Sequence, residues 1–499
     1  MFEGVPILSI IVLLPLVGAM ATFMLGRHER YAKWLALGAS AAAFVLSLAV
    51  TLAFVTDPVG ADTHNGYQFY ESHAWIETLG INYIVGLDGI SLPLFVLTTL
   101  LCMLSIVFSW DTEKRPKAYF GLMLMLEVGV LGVFVSLDYF MFYVFWEIVL
   151  IPMYFMIGVW GGPNKDYAAI KFFIYTHIAS LAMLIAIMAL YFEAGIGTFS
   201  MEAIAEESVG FATGIQIAIF AAMLFGFGVK LPMVPFHTWL PDAHVEAPTA
   251  GSVLLAGLLL KMGEYSLIRV AIPSLPDGAS EMSIVMAVIA VVSIVYGAVL
   301  CLAQKDLKKM VAYSSISHMG FVLLGFATLG ELGIVAGVFQ MFAHGLITAV
   351  LFMMCGVVQH KCGTRLIPKL GGLAQKMPIA AAMMTIGFLA SLGLPGLVGF
   401  PAEFGVFYAT FDVWGLWVLL PLASVAITAA YYLWALQRSM FGPTTTQIDT
   451  SHLRDMDWFE ALPVAILIAL IAVFGVFPGL IFSRISPAVE FMLRVIGGG

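Results

Sequence analysis

Residues 251–269 read GSVLLAGLLLKMGEYSLIR, with Lys261 inside the apolar run. Such a stretch reads only as a membrane-spanning helix, since one crossing needs roughly 20 predominantly apolar residues. An ammonium near a bilayer midplane costs about 3 kcal/mol by insertion scales and more by simulation, so it faces a polar interior and marks an ion route or proton relay. Glu147, Lys230 and Glu403 are embedded in other apolar stretches. One buried charge would be an oddity; four of mixed sign point to a pathway.

Composition sets the class. The chain is 61% hydrophobic and 11% charged over 499 residues, whereas a soluble domain carries about 25% charged residues. It reads as an all-α polytopic membrane protein embedded in a lipid bilayer. The net charge of −9 says little about partners, because the charges are confined to short loops. No stretch resembles a basic nucleic-acid face. Cys102, Cys301, Cys355 and Cys362 form no CxxC pair; their spacing fits neither an iron–sulfur nor a zinc site, nor a disulfide framework. HExxH, GxGxxG and Walker-type loops are absent, so no cofactor, metal or nucleotide is expected in this chain.

Hydropathy divides the chain into about fourteen spans, near 5–25, 34–56, 86–110, 118–136, 139–160, 168–193, 213–240, 249–271, 283–303, 311–330, 332–359, 379–410, 414–437 and 460–482. The first run is long enough to span and is followed by Arg27, Arg30 and Lys33, unlike a cleavable signal. Alternate loops carry Lys114/Arg115/Lys117, Lys165, Lys305/Lys308/Lys309, Lys361/Arg365/Lys369/Lys376 and Arg438/Arg454, while loops 57–82 and 194–212 carry acids and no Lys or Arg. That alternation places the basic loops on the cytoplasmic side and both termini outside. The loop after the seventh span breaks the pattern: it holds Asp242, His244 and Glu246 but no base. The polar, aromatic loop 57–82 suits a small outer cap. Residues 484–499, too short for another span, are expected along the interface.

Two spans carry internal breakers: Pro232 and Pro235 in the seventh, and Pro395, Gly396, Gly399 and Pro401 in the twelfth. Proline removes a helix hydrogen bond, and in lipid the freed carbonyls must be satisfied by protein or water. A pair of interrupted spans in corresponding places points to inverted repeats around a midplane ion site. A five-helix repeat over spans four to eight and nine to thirteen would make them equivalent. The division is then 1–110 (three spans and an outer loop), 118–271 (first repeat), 283–437 (second repeat) and 438–499 (loop, last span and tail).

The candidate proton-transfer residues are Glu147, Lys230, Lys261, His318, His344 and Glu403. The competing structural readings are a hydrogen-bonded buried acid at Glu147, a lysine snorkelling to an interface at Lys230, an interfacial carboxylate at Glu403, and structural histidines at 318 and 344. Imidazole can pass a proton between its two nitrogens, which suits His318 and His344 to the interval between Lys261 and Glu403. Glu127, Glu264 and His177 are secondary candidates. His237, Asp242 and His244, near the inner end of the seventh span, suit proton uptake. Burial disfavours an ammonium and a nearby carboxylate stabilises it, so a Glu–Lys pair that closes and opens would switch a lysine between loading and releasing a proton. Moving one charge against 200 mV demands about 4.6 kcal/mol.

The segments GLDGISLPLFVLTTL (86–100), FYVFWEIVLIPMYF (142–155), the run from Gly226 to Arg269, QKDLKKMVAYSSISHMG (304–320) and LPGLVGFPAEF (394–404) resemble the antiporter-like membrane subunits of respiratory complex I, most closely the M-type branch. The resemblance covers nearly the whole chain. It implies fourteen helices in two inverted five-helix repeats and proton translocation driven by NADH-to-quinone electron transfer elsewhere. FMN, iron–sulfur clusters and quinone would sit in partner subunits, and other membrane subunits would flank this one on both lateral faces. No small-molecule substrate other than protons is implied. It also implies that Glu147 and Lys230 pair at the input half-channel, with Lys261 joined through His318 and His344 to Glu403 at the output. Relatives of this kind also serve sodium or potassium/proton antiporters and membrane-bound hydrogenases. A structural scaffold whose charges only bind helices together is the contrasting expectation. The implied location is a bacterial cytoplasmic membrane.

Overall fold

The apolar windows fold as helices, because in hydrocarbon a backbone satisfies its N–H and C=O groups only internally. The computed structural model describes residues 4–25, 29–55, 63–448 and 452–496. Arg27, residues 57–62 of the outer loop and residues 497–499 of the tail lie outside the described residues.

Helices α1 (Ile7–Leu25) and α2 (Glu29–Ala53) pack as a pair, followed by a hairpin of β1 (Gln68–Ile76) and β2 (Ile81–Leu87). Then come α3 (Ser91–Phe108), α4 (Pro116–Val135), α5 (Tyr139–Ile148), α6 (Leu150–Trp160) and α7 (Lys165–Ala194). A short α8 (Met201–Ser208) leads to α9 (Thr213–Lys230), which breaks before α10 (Trp239–Glu246). One helical run follows, α11 (Thr249–Leu254), α12 (Leu260–Ser266) and α13 (Ile272–Ser274), interrupted by π turns at Leu255–Leu259 and Leu267–Ala271. The second half comprises α14 (Pro276–Leu302), α15 (Leu307–Ala327), α16 (Glu331–Cys362), α17 (Pro378–Ser391), α18 (Gly399–Trp414) and α19 (Leu419–Leu436), then α20 (Trp458–Val476) and α21 (Gly479–Ile496). Prolines open α4, α14 and α17 at a position where no N–H is needed.

Twelve stretches among the described residues are long and apolar enough to cross a membrane. One of them, Gly399–Phe441, is 43 residues long and contains both α18 and α19, while the run Thr249–Ser274 stands outside the twelve. The protein is therefore a multi-pass, membrane-embedded helical bundle. Both expected interruptions are present, at 231–238 and 392–398. The central helices α15 and α16 are buried almost throughout, whereas α2 and α7 present much of their surface outward.

Three features add detail to the sequence reading. The outer loop carries the one hairpin among the described elements, in which β1, bearing Phe69, Tyr70 and Trp75, pairs antiparallel with β2. The tail forms α21, whose Ile485, Ala488, Val489 and Met492 are buried and whose Arg484 donates to the Phe54 carbonyl at 2.8 Å. The loop after α9–α10 lies at the basic end despite having no base. Neighbouring loops supply its cations: Arg365 donates to the Val245 carbonyl at 2.9 Å and Lys308 to that of Ala247 at 2.5 Å.

One local structure occurs twice. Asp138 caps α5 by accepting from the N–H groups of Phe140 and Met141, and Asp306 caps α15 by accepting from Lys308 and Lys309. Around each aspartate the chain exchanges the same two backbone bonds with a distant loop. Tyr139 N–H donates to Phe199 O and Met201 N–H to Leu137 O; Leu307 N–H donates to Arg365 O and Ile367 N–H to Lys305 O. The first set lies beside the hairpin and the second among the basic loops.

Candidate functional site

Lys261 stands on α12 between the two π turns and is fully buried. Its Nζ donates to the Ala256 carbonyl in the first π turn at 2.7 Å, and lies 2.5 Å from His344 Nδ1 on α16. A π turn misaligns carbonyls with the helical ladder and so offers one to a side chain. Gly263, on the same helix, makes close packing possible: a Cβ there would come within 2.7 Å of the Phe227 carbonyl and 2.8 Å of the Leu231 nitrogen. The backbone of α12 thus rests directly on the end of α9, where Lys230 stands.

From His344 the polar row continues. The rings of His344 and His318 have centroids 5.6 Å apart, and His318 Nδ1 lies 3.1 Å from Glu403 Oε1. Both partners of that pair are over nine-tenths buried. Lys261, His344, His318 and Glu403 therefore form one continuous line across α12, α16, α15 and α18. His344 Nε2 is buried without a hydrogen-bond partner. Gly393, in the break between α17 and α18, has φ +75° and passes so close that a Cβ would lie 2.9 Å from Glu403 Oε2.

The other end is arranged differently from the implied pair. Glu147 Oε2 lies 3.3 Å from His177 Nδ1. Lys230 Nζ sits 3.9 Å from the centroid of the Trp146 ring, and no hydrogen bond or ion pair to it exists among the described residues. An aromatic face attracts an ammonium by roughly 0.5–2 kcal/mol, more when desolvated. Glu147 and Lys230 are thus neighbours around Trp146 without a closed ion pair. His177, a secondary candidate, is the basic side chain that comes nearest this carboxylate among the described residues, because α7 runs alongside α5, though its Nδ1 makes no hydrogen bond there.

Asp242, on α10, accepts from Lys171, on α7, at 2.7 Å. His237 packs edge-on against Tyr296 at 5.3 Å, and His244 stacks on Phe352 at 4.4 Å with both nitrogens free of hydrogen bonds. Glu264, one turn beyond Lys261, and Glu127 on α4 are fully buried, and none of their carboxylate oxygens has a partner. A buried carboxylate without a partner needs a proton or a water. Among the described residues no three His, Cys, Asp or Glu side chains converge as a metal site.

Sequence reasoning missed several members. Lys308 sits near a span end and reads as a loop base, yet it is 3% exposed; Lys171, just inside the sixth span, gives no signal of its ion pair with Asp242. Arg269 donates to Asp88 at 2.5 Å, to Tyr67 at 2.9 Å and to Tyr265 at 3.1 Å, beside a 450 Å³ cavity lined partly by α21. Ser391 and Tyr432 adjoin His318, and hydroxyl residues leave no hydropathy signal.

A bundle of this kind, with lysine, histidine and glutamate aligned through its interior, belongs to the antiporter-like class of membrane proteins. The comparisons specify the family. Residues 136–428 match the family model described as NADH:quinone oxidoreductase/Mrp antiporter, transmembrane, and the chain belongs to that family. It is 43% identical to the F(420)H(2) dehydrogenase subunit M of Methanosarcina mazei over 98% of this chain and 97% of that one. It is 40% identical to NADH-quinone oxidoreductase subunit M of Rhodobacter capsulatus over 98% and 96%. Its fold superimposes on a chain of respiratory complex I from Thermus thermophilus with TM-score 0.89 at 29% identity, covering 98% of this chain and all of the other.

Proposed function

We propose that this chain is the proton-translocating membrane subunit of an NADH:quinone oxidoreductase, driven by electron transfer in partner subunits. The observation that carries the reading is the row Lys261–His344–His318–Glu403, buried along its length and in contact at both ends. Lys230, Glu147 and His177 form the input group. With Lys230 over Trp146 and Glu147 beside His177, the input is in an open state. Closing the Glu147–Lys230 pair would stabilise the ammonium, and reopening it would favour release toward Lys261. His237, Asp242 and His244 serve uptake at the inner end, and Glu403 leads outward.

Fourteen crossings in two inverted five-helix repeats are part of this reading. The double helix within Gly399–Phe441 and the continuous run Thr249–Ser274 support the count. The matched caps at Asp138 and Asp306, set beside opposite loop groups, support the inversion. The gathering of basic loops at one end supports a bacterial cytoplasmic membrane with both termini outside. FMN, iron–sulfur clusters and quinone belong to the partner subunits, which flank this chain on both lateral faces. This chain itself handles protons only.

The relative named for F(420)H(2) dehydrogenase, at 43% identity, favours a second reading in which the same pump is driven by that donor. The intact assembly in liposomes decides. Proton uptake on adding NADH and quinone, independent of sodium, is the expected result. Uptake only with reduced F420 supports the second reading, and sodium-dependent exchange without any donor would replace both with an antiporter.

A further inference from the structure

His318 uses one nitrogen toward Glu403; the other is bound sideways, away from the relay. His318 Nε2 lies 3.1 Å from Ser391 Oγ, Ser391 Oγ lies 2.8 Å from the Tyr432 hydroxyl, and that hydroxyl lies 2.9 Å from Ser314 Oγ. Ser314 Oγ ends the series 2.7 Å from the Val311 carbonyl. All four side chains are buried, none more than 3% exposed.

Each hydroxyl has a single hydrogen to donate, and a carbonyl only accepts. The polarity therefore propagates from the far end. Ser314 donates to Val311 O, so its oxygen accepts from Tyr432. The Tyr432 hydrogen is then used, so its oxygen accepts from Ser391. Ser391 in turn has no hydrogen left for His318, and its oxygen accepts from an Nε2–H. We infer that the Ser314–Tyr432–Ser391 series fixes the tautomer of His318, keeping a proton on Nε2 and leaving Nδ1 as the only ring nitrogen that exchanges protons with the relay.

This inference rests on the proposed relay and sharpens it. A proton held on Nδ1 passes to Glu403 Oε1, so imidazolium and carboxylate become imidazole and carboxylic acid while Nε2–H stays in place. His318 does not hand protons through its ring, contrary to what an isolated imidazole suggests. The series is not a second exit, since it terminates on a backbone carbonyl in the buried core. Ser391 is the last residue of α17, as Lys230 is the last of α9, so each broken helix places a polar group at its break. Ser391 and Tyr432 are positioning residues.

The test uses the intact complex in liposomes, labelled with 15N-histidine, the His318 resonances being identified by their loss in His318→Gln. Wild type is expected to show a protonated Nε2 at every pH, with protonation changing only at Nδ1. Tyr432→Phe and Ser391→Ala should add a population with bare Nε2 and slow donor-driven pumping roughly fivefold, as expected for one net hydrogen bond. Ser391→Thr, which keeps the hydroxyl, should retain both wild-type signatures. A bare Nε2 in wild type overturns the inference, as do Tyr432→Phe and Ser391→Ala complexes with wild-type spectra and rates. If either variant fails to assemble, the wild-type spectrum alone decides. Normal pumping by Glu403→Gln would refute the relay itself, while the ring spectrum would still judge the tautomer.

Discussion

Replacing Gly393 with alanine should disable the outlet without touching a titratable group. A Cβ at residue 393 would lie 2.9 Å from Glu403 Oε2, whereas ordinary contact begins at 3.4 Å, so the carboxylate must retreat by about 0.5 Å. Glu403 Oε1 is already 3.1 Å from His318 Nδ1, near the outer edge of the hydrogen-bond range, and a retreat of that size along the bond takes it out of range. A hydrogen bond to a charged group contributes roughly 1.5–3 kcal/mol, so pumping should fall about ten- to hundredfold. Residue 393 also has φ +75°, which costs an alanine roughly 1–2 kcal/mol of backbone strain. Gly396 separates the two effects, since its φ is +91° but a Cβ there would meet nothing within 4 Å. Gly396→Ala should therefore carry strain alone and keep pumping. The assay is donor-driven acidification of inverted vesicles, followed with a pH-sensitive dye, beside native gels for assembly. An assembled Gly393→Ala complex that pumps at the wild-type rate would refute the reasoning.

Other substitutions probe the packing that supports the row. Arg269→Ala leaves Asp88 buried without its partner, with side-chain exposures of only 5% and 8% in the intact pair. That should cost roughly 3–5 kcal/mol, read as a lower unfolding temperature of the solubilised complex. The double change Arg269→Met with Asp88→Leu should recover most of the loss; equal losses in both would show that the pair is not what stabilises this region. Gly263→Ala drives a methyl into the end of α9, and overpacking of this kind costs roughly 1–3 kcal/mol. Its thermal midpoint and its pumping rate should fall together; a variant with wild-type values for both would mean that α12 does not rest on Lys230 as described.

The crossings and the charged row were legible because burying a charge in lipid is costly enough to stand out from a single sequence. Lys261, His344, His318 and Glu403 stand out as charged or titratable residues in apolar runs and lie in one buried row, and both helix breaks lie where proline and glycine cluster. The partner of Glu147 was not legible, because a one-dimensional pattern does not say which side chain of α7 comes level with α5. His177 emerged only as a secondary candidate for that reason. Lys308 was hidden by position: near a span end a lysine reads as a loop base, and only neighbouring helices reveal its burial. The π turns flanking Lys261 have no residue signature in a leucine-rich run. Ser391 and Tyr432 carried no signal because their importance lies in the direction of their hydrogen bonds.

Lys261 is the group on which the account depends. Lys261→Ala, assembled with its native partners in liposomes, should oxidise its donor with proton pumping abolished, and Lys261→Arg should pump poorly because guanidinium keeps its proton. Undiminished pumping by an assembled Lys261→Ala complex would contradict the account.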